Sequence, residues 1–146
     1  MKFEIKKLFQ LRQQIISIIH QFPADKRQVI LFDQWSLREI LAHLSGWDVF
    51  TAESVEKFKS GKLPVWGGKI NIFNQKSLEQ REKLTWTEIY NEFIASSQKM
   101  IDQYQSIDDK LWNQKIWPDK SYTPAKFLKI DIDHYQDHLE EIKKKI

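Results

Sequence analysis

Two histidines, His134 and His138, stand four residues apart in a stretch that opens with Thr123-Pro124 and runs to Ile142. On a helix that spacing puts both imidazoles on one face, where they can grip a single ion. A third, His43, falls in an apolar row with Ile40, Trp47 and Phe50 on another segment. Three imidazoles from two neighbouring helices make a catalytic-type ligand set, with one or more positions left for water or a substrate oxygen. Zinc and nickel suit such a set and iron(II) is a further option, whereas magnesium and calcium call for more oxygen ligands. The alternative is that the histidines simply pack.

His134 and His138 share their row with Phe127, Asp131 and Ile142, so polar groups enter a core-facing stripe. An unpartnered buried polar group costs on the order of 1–3 kcal/mol, and a metal is one partner that removes that cost. A ligand histidine commonly hands its other N–H to a carboxylate. Asp131, three residues before His134, and Glu39, four before His43, are the candidates to orient the rings. Asp48, Asp133 and Asp137 are other carboxylates nearby in sequence, and no residue is assigned catalysis. Trp47, Trp66 and Trp117 read either as core or as the wall of a substrate pocket, with Tyr135 beside the histidines a further wall candidate. Trp35, Trp86 and Trp112 read as packing.

The elements that must position these residues are helical. Phe3, Leu8, Leu11, Ile15, Ile18, Ile19 and Phe22 recur at three- and four-residue steps up to Pro23, an amphipathic helix with His20 off the stripe. Ser36-Leu37-Arg38-Glu39 is a capping box that opens a second helix reaching towards Gly61, with Trp35 and Ile40 set to staple its entry. Gly46 inside that helix costs roughly 1 kcal/mol against alanine, which points to close approach by a neighbour or ligand. Pro64, Gly67 and Gly68 mark a long connection that carries a short helix from about Lys69 to Glu82, pictured as a flap over one end. Thr85-Trp86-Thr87-Glu88 is a second capping box, and Thr123 with Pro124 starts the last helix. No sustained period-two alternation occurs, so the expected fold is all-α, a four-helix bundle spanning 1–146 as one domain.

The totals narrow the function. The chain has 146 residues, 41% hydrophobic, and no cysteine, which excludes disulfides, thiolate nucleophiles and cysteine-based metal sites. Its formal charge of +3 is spread among acidic residues without a basic stripe, so nucleic acid is not expected as a partner. The start does not read as a signal peptide and no apolar run nears the ~20 residues of a membrane span. A cytoplasmic protein with no membrane partner fits. Glycine-rich phosphate loops, Gly-x-Ser-x-Gly elbows and His-Glu-x-x-His motifs are missing.

Trp35-Ser36-Leu37-Arg38-Glu39-Ile40-Leu41-Ala42-His43-Leu44, followed by His134-Tyr135-Gln136-Asp137-His138, resembles the DinB-like superfamily of four-helix bundles over nearly the whole chain. Within it, Ser45-Gly46-Trp47, Gly61-Lys62-Leu63-Pro64, Thr85-Trp86 and the turn at Trp117 look most like the ClbS/DfsB family. The resemblance implies an up-down-down-up bundle with a long connection between the second and third helices, and a divalent metal on His43, His134 and His138. It further implies a metal-dependent enzyme acting on small electrophilic molecules, either a hydrolase or a thiol S-transferase using a low-molecular-weight thiol. The same branch implies an alternative: a metal-free small-molecule binding or self-resistance protein, or a non-catalytic bundle. Bundles of this kind pair through a helix face, so a homodimer is allowed, though no apolar stripe demands it.

Overall fold

A computed structural model describes residues 1–66 and 68–146. Gly67, read above with Pro64 and Gly68 as part of the connection, lies outside the described residues. The helices are α1 (Lys2–Gln21), α2 (Leu37–Lys59), α3 (Ile70–Gln80), α4 (Trp86–Gln105) and α5 (Pro124–Lys143), with 3₁₀ turns at Ala24–Lys26 and Asp109–Leu111. The four long helices form a bundle, and the short α3 is carried by the long connection between α2 and α4. Among the described residues the only β pairing is one isolated bridge between Phe32 and Trp35. None of the helices is long and apolar enough to cross a membrane.

Each start has a local cause. Ser36 Oγ accepts from the Glu39 amide at 3.3 Å while Glu39 Oε1 accepts from the Ser36 amide at 3.1 Å, closing the box that starts α2. Thr85 and Glu88 repeat it at α4, with bonds of 3.2 and 3.0 Å. At α5 the Thr123 hydroxyl accepts from the Lys126 amide at 3.2 Å and Pro124 takes the first helical position.

Packing joins these helices in two pairs, α2 with α4 and α1 with α5, which meet mainly through α1 and α4 and, at the site end, through α2 and α5. The short α3 lies on α2. A Cβ added at Gly46 would come 2.7 Å from Ser77 Cβ, so the glycine is what lets α3 approach so closely. From α2, Arg38 Nη2 reaches over to donate to the carbonyls of Arg81, Glu82 and Leu84 at 2.8, 3.1 and 2.5 Å, fastening the segment after α3. Most buried apolar residues form one core. A smaller aromatic cluster of Ile116, Trp117 and Phe127, with Phe50, Phe58, Trp66 and Tyr122 packed on it, holds the connection against the N-terminal end of α5.

Candidate metal centre and aromatic cleft

The three histidines come together. His43 on α2 and His134 and His138 on α5 offer ligand nitrogens that all lie within 4.8 Å of one another. His134 Nε2 lies 2.8 Å from His43 Nε2 and 3.1 Å from His138 Nε2. An imidazole nitrogen carries either one hydrogen or one lone pair in its ring plane, so His134 Nε2 can complete a hydrogen bond with only one of these neighbours. A single cation satisfies all three lone pairs together. Zn–N bonds of about 2.0–2.1 Å around a tetrahedral ion set ligand nitrogens roughly 3.3 Å apart, near the 2.8 and 3.1 Å that separate His134 from its two neighbours and inside the 4.8 Å that spans all three. The donor set therefore fits a divalent ion of the zinc type.

Electrostatics agree with that fit. Burial, followed by the charges of His134 and His138, lowers the His43 pKa to about 3, with Asn74 pulling weakly the other way. Burial first and His138 next bring His134 down to about 4, and burial brings His138 to about 4. All three rings are neutral near pH 7, with lone pairs free for a cation. His43 Nδ1 is buried without a hydrogen-bond partner. Trp35 lies against the His43 ring at 4.7 Å between centroids, so this tryptophan, read as packing, also walls the centre.

The expected orienting carboxylates are placed otherwise. Glu39 spends Oε1 on the amide and hydroxyl of Ser36, as the cap requires, and does not bond His43. Asp131 Oδ2 accepts from the Tyr104 hydroxyl at 2.5 Å and bonds no histidine. The carboxylate found against a ring is Glu141, whose Oε2 is 3.0 Å from His138 Nδ1. Its only signal in the sequence is a position three residues after His138 on the last helix.

Beside the histidines opens a cleft of about 520 Å³ lined by His43, His134, Trp47, Trp66, Tyr122, Phe127 and Asp131, with Ile70, Ile130, Asp133 and Asp137 at its rim and Asn74 on one side. Trp47 is held there by donating its indole N–H to Asn74 Oδ1 at 2.7 Å and by packing on Phe73 at 4.3 Å. Two of the four wall candidates thus line the cleft, Trp47 and Trp66. Trp117 does not: it is fully buried behind Trp66, edge-on at 4.7 Å, and supports the wall rather than forming it. Tyr135 is turned by one helical step into the core, where its hydroxyl donates to Asp48 Oδ2 at 2.5 Å. Tyr122 and Phe127, missed in the sequence, replace them. A somewhat larger depression of about 620 Å³ near Gln28, Ser36, Arg38 and Glu82 holds none of the histidines.

Comparison with known proteins bears on what this arrangement is. No curated protein matches the chain. An uncharacterised protein from Escherichia coli UTI89 has a crystal structure that superposes with a TM-score of 0.82 at 16% identity, covering 97% of this chain and 89% of that one. The colibactin self-resistance protein ClbS, solved in complex with a dsDNA, superposes with a TM-score of 0.81 at 15% identity, covering 97% and 91%. That complex overturns the expectation that nucleic acid is excluded, since a protein of this fold holds a duplex. Scattered charge was a poor ground for exclusion, because phosphate contacts need basic groups only where the backbone passes. A family model for the DinB superfamily matches residues 7–142, a span that takes in the capped helix bearing His43 and the last helix bearing His134 and His138, and the chain belongs to that superfamily.

Proposed function

We propose that the protein is a metal-dependent enzyme that acts on small electrophilic molecules, as a thiol S-transferase or a hydrolase, with His43, His134 and His138 holding one divalent ion. The observation that carries this reading is the convergence of the three Nε2 atoms, two of them 2.8 and 3.1 Å from the third. Zinc or nickel matches the donor set best, with iron(II) next. A bound ion of this kind supplies Lewis acidity, letting a thiol or a water lose its proton near neutral pH. The chain's own residues do the rest. Glu141 fixes the His138 ring from behind, and Trp47, Trp66, Tyr122 and Phe127 hold an apolar body against the histidine end of the cleft.

Metal analysis of protein purified without a nickel column tests the reading. One equivalent of a divalent ion per chain is expected, lost in His134→Ala and in His138→Ala. A site that stays empty after incubation with zinc would sink the proposal. Adding thiol to an electrophile panel separates the two reactions, because only the transferase needs it for turnover.

The aromatic walls favour a second reading, a metal-free binding or self-resistance protein, as the name of the ClbS neighbour suggests. Under that reading His134→Ala retains ligand binding, whereas the enzyme reading expects turnover to vanish. Duplex DNA belongs in the same binding assays, at low and high salt, because that neighbour was solved with it.

A further inference from the structure

We infer that the cleft selects organic cations, small molecules that join an ammonium or similar positive group to an apolar or aromatic body. The inference rests on the proposed function only in placing the substrate at this cleft, and it names the class of substrate. Four aromatic side chains, Trp47, Trp66, Tyr122 and Phe127, line the cleft together with three carboxylates, Asp131, Asp133 and Asp137. Neither Lys nor Arg is among its described lining residues. An anionic ligand would meet the charges of Asp133 and Asp137 at the rim and no basic side chain among the lining residues. A neutral one would use the carboxylates only as hydrogen-bond acceptors, without the charge attraction that an ammonium adds.

The geometry gives each group a part. Asp131 is 5% exposed, and only its Oδ2 is engaged, by the Tyr104 hydroxyl, so the other oxygen is the one left to the cleft it lines. A half-satisfied buried carboxylate on the floor of an aromatic cleft is a site for a positive partner. Asp133 and Asp137 are exposed at the rim, one helical turn apart, and draw a cation inward. The walls supply ring faces, which attract cations through their quadrupoles. Trp66 already does so within the chain, with Lys120 Nζ 5.5 Å from its ring centroid.

The test titrates the full chain, as purified, with benzyltrimethylammonium, benzyl alcohol and phenylmethanesulfonate, following tryptophan fluorescence, with bound metal counted on the same sample. The ammonium should bind about tenfold more tightly than the alcohol, and the sulfonate more weakly than either. Asp133→Asn with Asp137→Asn, both at exposed positions where the fold is not at stake, should reduce that preference severalfold, and Asp131→Asn should reduce it further. Equal affinity for the three probes, preference for the sulfonate, or no ammonium binding overturns the inference. The metal count keeps the two readings apart: a loaded triad without cation preference removes only this inference, and an empty triad with the preference intact removes only the metal.

Discussion

Asp131 sits where three demands meet, since it lines the cleft, lies one turn before His134 and is bonded by Tyr104. Burial pushes its pKa up to about 7, against the Tyr104 hydrogen bond, which lowers it. An unfolded carboxyl titrates near ~3.9. Between those values the folded chain keeps a proton that the unfolded chain has lost, so this residue makes stability fall as pH rises, by about 1.4 kcal/mol per pH unit, and the slope ends once both states are ionised. Replacing Asp131 with Asn removes the titration while nearly keeping the shape. Denaturant unfolding of both chains with chelator should therefore give a stability difference that moves in favour of Asp131→Asn by about 1.4 kcal/mol per unit from about pH 5 to about pH 7, then levels off. The histidines are present in both chains and cancel to first order, so a flat difference would mean that the Asp131 carboxylate is not desolvated. The residue scale also shows where the sequence misled. The triad was legible because His43, His134 and His138 obey helical phase with apolar neighbours. Glu141 was not, because a glutamate near a helix end looks the same whether it faces solvent or an imidazole. Trp66 and Trp117 could not be told apart either, since their facing depends on how two irregular connections fold over each other.

At the scale of elements, the interlock of α2 with α3 decides the shape of the cleft. Asn74 and Ile70 reach it from α3 while Phe73 backs Trp47, and α3 is held to α2 by these Trp47 contacts and by the Gly46–Ser77 approach, with the Arg38 clamp fastening the segment that follows. Gly46→Ala puts a methyl group into Ser77, whose Cβ would be 2.7 Å away. Helix propensity favours the alanine by roughly 1 kcal/mol, but overpacking costs about 1–3 kcal/mol, so the net effect should be a loss of stability confined largely to α3. Hydrogen exchange would then show α3 amides less protected while α1 and α4 are unchanged; a variant as stable as the parent would mean that Ser77 gives way freely. The helices themselves were readable because their signals are local: Ser36 with Glu39, Thr85 with Glu88, and Thr123 with Pro124 each close within one turn. The sequence also pointed to a close neighbour at Gly46. It did not identify Ser77 as that neighbour, nor Arg38 as the clamp, because both contacts depend on how a long connection returns.

For the whole molecule, the triad joins two halves that otherwise share little at this end. His43 belongs to the α2–α4 pair, His134 and His138 to the α1–α5 pair, and α2 and α5 meet sparsely. An ion held by all three rings would bridge the pairs, so its binding energy would act on the global fold rather than on one helix. At a hundredfold excess over Kd, zinc should stabilise the chain by about 2.7 kcal/mol, which for a domain of this size raises Tm by roughly 5–10 °C. Chelation should reverse the gain, and His134→Ala should abolish it. The distribution of the effect matters more than its size. If the three histidines share the ion, hydrogen exchange should slow on both α2 around His43 and α5 around His134 and His138, and His43→Ala should cancel both responses. Protection that appears on α5 alone and survives His43→Ala would place the ion on the His134–His138 pair, leaving the bundle halves unbridged and the proposed centre one ligand short.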